Sequence, residues 1–497
     1  MHSPVLQRVL SMKSSLFKNL RLQTYLQIAN TIIPIITTPY IARVLGASMI
    51  GVFSSAHATA SFFTLFAVLG TTNYGTRCLS AESDVEKKKV LFFEIYCLQL
   101  ITSLIATLCY LFYCVFLADN KLMAYLQLIT LLGCFIEISW FYFGLEEFKA
   151  TVTTSMVIRI ISVVFLFVLV KSKDDLWIYA VIMLVGPLVS QLILWCIIIK
   201  KGYLGTEIPE IKRITRHLFP NLKLFIPILA MTVCNSTDKV MLGTLSTYEQ
   251  TGFYSNIDRV INVPFSIFSG ISTVFLPRIT SICSENKERA KAFFIDTLSG
   301  IIMLGVAISF GIIAVSDYFI PLFLGPGYEE CVFLINVFAP IIIIKCISNA
   351  IRLHYLVPFR EESIYIKATC IGAVLNIVLN YVLISKSGAL GAVLATLISE
   401  TIVLIIQIVL SLKFSELIST YRDLLAYLCF GVVMTIVIRC FKFDGGSVFL
   451  KLIIDVFIGA FVYGVMTFIY WIISGNLFYS NFIRPKIKSI VNINKKQ

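Results

Sequence analysis

A chain of 497 residues that is 58% hydrophobic and 14% charged, with a mean hydropathy of +0.89, is too apolar for water, where domains are about half apolar and about a quarter charged. Its formal net charge of +13 does not point to nucleic acid. Most Lys and Arg fall in short stretches between apolar runs, as in loops beside anionic lipid, and no RNP-like or helix-turn-helix pattern accompanies them.

In chain order, a membrane-crossing helix needs about 20 mainly apolar residues. That rule predicts fourteen spans, near 20–44, 49–75, 90–117, 121–144, 149–170, 176–199, 218–243, 251–276, 291–315, 329–356, 362–385, 388–412, 423–441 and 448–474. The runs are continuously apolar rather than alternating, so helices are expected and a barrel is not. The first run follows a basic head and is too long for a cleaved signal peptide, so it reads as a retained helix. Cys97, Cys109, Cys114, Cys134, Cys196, Cys234, Cys370 and Cys429 sit inside these runs, with no CxxC pair. They read as small reduced apolar side chains rather than disulfides or metal ligands.

The loops set the orientation. Arg8, Lys13, Lys18 and Arg21 precede span one, and Lys87, Lys88 and Lys89 follow span two. Lys200, Lys201, Lys212, Arg213 and Arg216 follow span six, and Lys287, Arg289 and Lys291 follow span eight. Lys413 and Arg422 follow span twelve, and Arg484, Lys486, Lys488, Lys495 and Lys496 close the chain. The opposite loops carry only Lys121, a mixed Lys171/Lys173/Asp174/Asp175 turn, Lys386 and Lys442. Both termini are therefore expected to be cytoplasmic, as an even span count requires.

The chain also repeats itself. Leu45-Gly46 matches Leu242-Gly243. From Gly51-Val52-Phe53 against Gly252-Phe253-Tyr254 the register then holds at an offset of 201, through Arg77 and Arg278 to Phe92-Phe93 and Phe293-Phe294. Further on, Glu146-Glu147 resembles Glu361-Glu362, and Lys171-Ser172 resembles Lys386-Ser387, at an offset of 215. An internal duplication of a six-helix unit follows, both copies in one orientation and related by an axis along the membrane normal. The expected division is an N-lobe at 1–199, a cytoplasmic linker at 200–217, a C-lobe at 218–412, and two appended spans with a basic tail at 413–497.

No segment outside the spans is long enough for a domain, so function must lie in the spans, where ionisable groups are costly and hence informative. Arg43, His57, Arg159, Asp238, Lys239, Asp258, Arg259 and Lys345 are candidates for binding. Glu137, Asp238, Asp258 and Glu400 are candidates for carrying a proton or ion. The set leans basic, which suits an anionic cargo. Asp238, Lys239, Asp258 and Arg259 equally suit pairing between helices, and His57 equally suits packing in a core. Pro34, Pro39, Pro187, Pro220, Pro227, Pro264 and Pro340 are expected to interrupt helices and permit bending. No P-loop, HExxH or GxSxG motif is present, so no enzyme activity and no cofactor is expected. Energy must come from a gradient or the membrane potential.

The string NTIIPIITTPYIARVLGASMIGVFSSAHATASFFTLFAVLGTTNYGTR, with DKVMLGTLSTYEQTGFYS, VFLPRITS and WFYFGLEEFKA, resembles bacterial polysaccharide-repeat-unit flippases of the Wzx type. Their superfamily also holds multidrug-extrusion antiporters and lipid II flippases. The resemblance covers nearly the whole chain and is most specific at Pro-Tyr-Ile-x-Arg-x-Leu-Gly. It implies an all-α membrane protein with two six-helix lobes around a central cavity and two C-terminal helices. It also implies an undecaprenyl-pyrophosphate-linked oligosaccharide (O-antigen or capsule repeat unit) as cargo, turned across the bacterial cytoplasmic membrane. A polysaccharide polymerase and a chain-length regulator would be further partners, and nucleic acid none. Of the family's cavity cations only Arg43, inside the matching motif, carries over. A cation-coupled multidrug exporter shares the fold but would have an acidic, aromatic cavity. A membrane glycosyltransferase or polymerase would need a large external loop, and the loops here are short.

Overall fold

The computed structural model describes residues 4–203, 209–411, 418–441, 447–476 and 479–480. The predicted basic tail at Arg484 to Lys496 lies outside the described residues, as do Lys413 and Lys442. The chain divides into two compact units, Met1–Ser255 and Asn256–Gln497. The first holds α1 (Pro4–Val68), α2 (Thr71–Ala81), α3 (Val85–Phe116), α4 (Lys121–Leu126), α5 (Leu128–Phe135), α6 (Ser139–Gly144), α7 (Phe148–Leu169), α8 (Leu176–Lys200), α9 (Ile211–Thr215) and α10 (Leu218–Leu245). The beginning of α11 (Tyr248–Glu285) also belongs to it. The second holds the rest of α11, then α12 (Lys287–Leu324), α13 (Glu330–Phe338), α14 (Ile341–Ala350), a π-helical turn at Ile351–Leu356, α15 (Glu362–Ser411), α16 (Ile418–Cys440) and α17 (Val448–Ser474). Polar residues start several of these helices. Asp84, Asn120 and Asn286 each accept a backbone N–H of the first turn at 3.0 Å, satisfying a donor the helix cannot.

Among the described residues, twelve helical segments are long and apolar enough to cross a bilayer. Two of them are double. α1 is broken at Gly46 (φ 75, ψ 170) and α15 at Gly388 (φ 54, ψ −127), conformations only glycine adopts freely. The reversal within α15 is direct to see. A methyl group at Gly372 would lie 2.2 Å from Val403, although a straight helix would hold those residues about 46 Å apart. Divided at Gly46 and Gly388, the twelve segments give the fourteen spans expected.

In the first unit the repeated motif meets its own copy. A methyl group at Gly51 would fall 1.7 Å from the Tyr248 carbonyl oxygen, and one at Gly252 would fall 1.9 Å from that of Ala47. At the offset of 201, Gly51 corresponds to Gly252 and Ala47 to Tyr248. Each copy therefore presents the same residue to the same residue of the other, as across a two-fold axis. Only glycine lets the backbones approach so closely.

Two expectations are corrected. Pro34, Pro39, Pro187, Pro227 and Pro264 lie within helices that continue past them, and Pro220 lies in the first turn of α10, where a missing N–H costs nothing. Of the predicted proline breaks, only that at Pro340, between α13 and α14, coincides with an end of a helix. Span four (121–144) is not one helix but three, α4, α5 and α6, and its interruptions build the site described next.

Candidate functional site

α5 ends at Phe135, and α6 begins at Ser139 after Ile136 (φ −105, ψ 7) and Ile138 (φ −133, ψ 14) leave helical geometry. A helix broken inside a membrane frees backbone groups that water cannot reach, each a loss of several kcal/mol unless protein replaces the bond. Here side chains replace them one by one. Gln99 Nε2 of α3 donates to the carbonyls of Cys134 (2.8 Å) and Glu137 (2.9 Å). Tyr96 donates its hydroxyl to Phe135 O (2.8 Å), and Trp195 Nε1 of α8 donates to Ile136 O (2.9 Å). Ile138 N donates to Gln191 Oε1 (3.3 Å), and Ser139 N donates to the Glu137 carboxylate (2.9 Å). Trp140 then closes the network by donating to Gln99 Oε1 at 3.0 Å. Its indole packs against Gly75, in a core with Leu79, Phe92, Phe141, Tyr142 and Leu194. The WFYF run holds the broken end of the span in place.

The break opens on a cavity of about 550 Å³ walled by α1, α5, α8 and α10. Glu137 and His57 line it, with Ser61, Thr64, Thr130, Gln191, Thr232 and Ser236; among the described residues no Lys or Arg does. Glu137 accepts from Gln191 Nε2, so the carboxylate is held by an amide and a backbone N–H rather than by a cation. His57 Nδ1 lies 3.2 Å from Oε1 of the buried Gln127, at the α4–α5 junction. A carboxylate among neutral donors can take up or release a proton without breaking an ion pair, and the hydroxyls and amides around it can bond other hydroxyls.

The remaining predicted residues are dispersed. Arg43 and Arg159 are exposed on α1 and α7, while Lys239, Arg259, Lys345 and Glu400 are half-buried. Asp238 is buried and accepts from the Tyr254 hydroxyl. Asp258 accepts from Asn262 at 2.8 Å. Thus His57 and Glu137 share one cavity. Sequence reasoning missed Gln99, Gln191, Gln127, Tyr96 and Trp195, because only ionisable residues were weighed. Three glutamines inside apolar runs were the available signal. It also missed Glu94, which is buried on α3 and bonded to Arg216 (2.6 Å) and His217 (3.0 Å); the Tyr74 hydroxyl meets the other side of that ring at 2.8 Å. This cluster fastens the end of the 200–217 segment to α2 and α3.

Comparisons with known proteins agree with this architecture. A lipid II flippase MurJ in an inward closed conformation superposes with a TM-score of 0.75 at 17% identity, over 90% of this chain and 99% of that one. An inward-facing multidrug resistance MATE family transporter gives 0.54 at 12% identity, over 83% of this chain and 100% of that one. At these identities the likeness is one of fold. By sequence, the chain is 22% identical to a protein described as an O-antigen transporter in Escherichia coli (strain K12), over 79% of this chain and 95% of the relative. It is 24% identical to a second protein so described in Shigella dysenteriae, over 79% and 98%. A glycan biosynthesis flippase, Agl15 of Haloferax volcanii, is 23% identical over 47% of this chain and 50% of that one. The model of the family described as polysaccharide biosynthesis protein matches residues 16–283, and the chain belongs to that family.

Proposed function

We propose that the protein turns an undecaprenyl-pyrophosphate-linked oligosaccharide from the inner to the outer leaflet of the bacterial cytoplasmic membrane, by alternating access, for surface polysaccharide synthesis. The observation that carries this reading is the cavity at the broken fourth span, which lies among candidate membrane spans and is lined by hydroxyls and amides. A glycan cannot cross hydrocarbon because each hydroxyl loses its water; such a wall returns hydrogen bonds while the prenyl chain stays in lipid. The relatives described as O-antigen transporters and a glycan flippase support the same cargo. The protein is then a carrier rather than an enzyme, with both termini cytoplasmic and with the polymerase and chain-length regulator as neighbours. Lobes at 1–199 and 218–412, joined by 200–217 and followed by appended spans at 413–497, suit the reciprocal contact of Gly51 and Gly252. Glu137 is the residue we assign to proton coupling.

The test is flipping in proteoliposomes, with the lipid-linked repeat unit scored by an impermeant lectin. Lectin exposure that depends on the protein is expected. One observation favours a second reading: the Glu137 carboxylate, with no Lys or Arg lining the cavity among the described residues, also suits an organic cation. Export of a cationic dye down a proton or sodium gradient, with no glycolipid movement, would put the exporter in place of the flippase.

A further inference from the structure

In the second unit, α12, α16 and α17 meet at one end around a cavity of about 130 Å³. Each helix gives it residues one turn apart, which share a face. They are Asp296 and Ser299 from α12, Thr420 and Asp423 from α16, and Tyr470 and Ser474 from α17. Asp296, Thr420 and Asp423 are each no more than 8% exposed. The wall is rich in oxygen, and its two carboxylates are largely withdrawn from bulk water.

Asp423 is held by neutral donors. Ser299 Oγ (2.6 Å) and Asn476 Nδ2 (2.7 Å) donate to its Oδ2, and the Tyr470 hydroxyl donates to Oδ1 at 2.8 Å. Behind them Trp471 Nε1 donates to the Tyr427 hydroxyl at 2.9 Å, which lies 3.1 Å from Ser299 Oγ. These bonds fix the carboxylate in place without neutralising it. Among the described residues no Lys, Arg or His stands within ion-pair distance of it. A buried charge without a counter-charge is costly, and buried charges are normally paired or bound to a metal. Arg422 also lines the cavity but is exposed, and one guanidinium against two carboxylates leaves the wall net negative. α17 ends here at Gly475 (φ 64, ψ 33), and a helix C-terminus adds partial negative charge. The buried Thr420 hydroxyl, on the same wall, has no hydrogen-bond partner among the described residues. Buried polar groups are nearly always paired, so such an exception calls for a ligand, an ion or a water.

We propose that this cavity binds a hard metal cation through Asp296, Asp423 and the Thr420 hydroxyl, and that the ion ties the appended helices α16 and α17 to α12. Mg²⁺ and Ca²⁺ take oxygen ligands and accept waters to complete their shells, and the cavity has room for an ion with several waters. Among the described residues its wall holds no Cys or His, the ligands that would favour zinc or copper. The assignment is independent of the flippase reading. The test uses purified full-length protein in a non-ionic detergent, with Mn²⁺ followed by electron paramagnetic resonance as a probe for hard divalent ions. Wild type is expected to bind Mn²⁺, to release it to Mg²⁺ or Ca²⁺, and to melt at a higher temperature when either is present. Asp296→Asn should weaken Mn²⁺ about tenfold or more, on the scale of one charged contact, and abolish the rise in melting temperature. Thr420→Val should give a smaller loss of affinity. Because Asp423 also anchors three hydrogen bonds, Asp423→Asn is read only where it still melts cooperatively, and the other two variants decide. A melting rise with Na⁺ instead, lost in Asp296→Asn, would keep the site and make its cation monovalent. Equal Mn²⁺ binding by wild type, Asp296→Asn and Thr420→Val would overturn the site, as would melting that responds to pH and to none of these ions.

Discussion

The fourth span in the first unit and the stretch Ile341–Leu356 in the second both place polar side chains within candidate bilayer-crossing helices, and they treat them in opposite ways. Around the break at Ile136–Ile138, carbonyls, amides, an indole and a carboxylate are matched donor to acceptor by Gln99, Gln191, Tyr96 and Trp195. Along Ile341–Leu356, Lys345 and Arg352 lean on aromatic rings and the buried Asn349 amide keeps a donor unmatched among the described residues. A matched network fixes a shape, because removing any member strands its neighbours. An unmatched cluster costs stability to keep. The two regions should therefore answer substitution with opposite signs.

The largest effect is expected for Gln99→Leu, which strands the Cys134 and Glu137 carbonyls and the Trp140 indole N–H together. At about 1 kcal/mol each, between values for buried groups in water-soluble cores and in membranes, the loss is about 3 kcal/mol. It can be read with a thiol-reactive dye during heating, since Cys114, Cys134, Cys331 and Cys346 are buried until the fold opens. A melting temperature equal to that of wild type would show that the network is not structural. Next in size, Glu94→Leu leaves His217 buried and Arg216 without its partner. Breaking a fully buried pair costs about 3–5 kcal/mol; with the Arg216 side chain 56% exposed, about 2 kcal/mol is expected. Urea unfolding followed by the same dye would measure it.

How much of this was legible beforehand differs between the regions for a physical reason. Apolar length marks a span, so fourteen spans and the breaks at Gly46 and Gly388 follow from composition and from the turn positions of the repeat. Gly51 and Gly252 stood out as register points, but the reason they are glycine, a close backbone approach, lies in contacts about two hundred residues apart. The division of span four was invisible because Leu128 to Gly144 is apolar enough for one helix. The break is stabilised by side chains of α3 and α8, which no local pattern reports. Lys345 was visible as a charge; Asn349 and Arg352 acquired meaning only once their spacing and burial were known.

Glu137→Gln sharpens the comparison within the first unit. The amide keeps the shape of the carboxylate and can still accept from Ser139 N, so a stability loss of about 1 kcal/mol or less is expected. Its effect belongs to transport: if Glu137 carries the coupled proton, flipping by wild type varies with pH, and flipping by Glu137→Gln does not. An unchanged pH profile in the variant would move the coupling group elsewhere, with Asp238, Asp258 and Glu400 the next to substitute.

The smallest effect is also the one that best separates the two regions. Lys345→Met keeps most of the side chain's length and apolar stem, and removes a charge that has no carboxylate near it among the described residues. Moving a lone cation out of a membrane-crossing helix is favourable, and part of that gain is already taken by the Phe265 face and by partial exposure. A net stabilisation of about 1 kcal/mol or less is expected, so the variant should melt at or slightly above the wild-type temperature. A variant that melts well below wild type would mean that Lys345 is held by contacts as closed as those around Glu137, and the contrast between a matched network and an unmatched strip would fail.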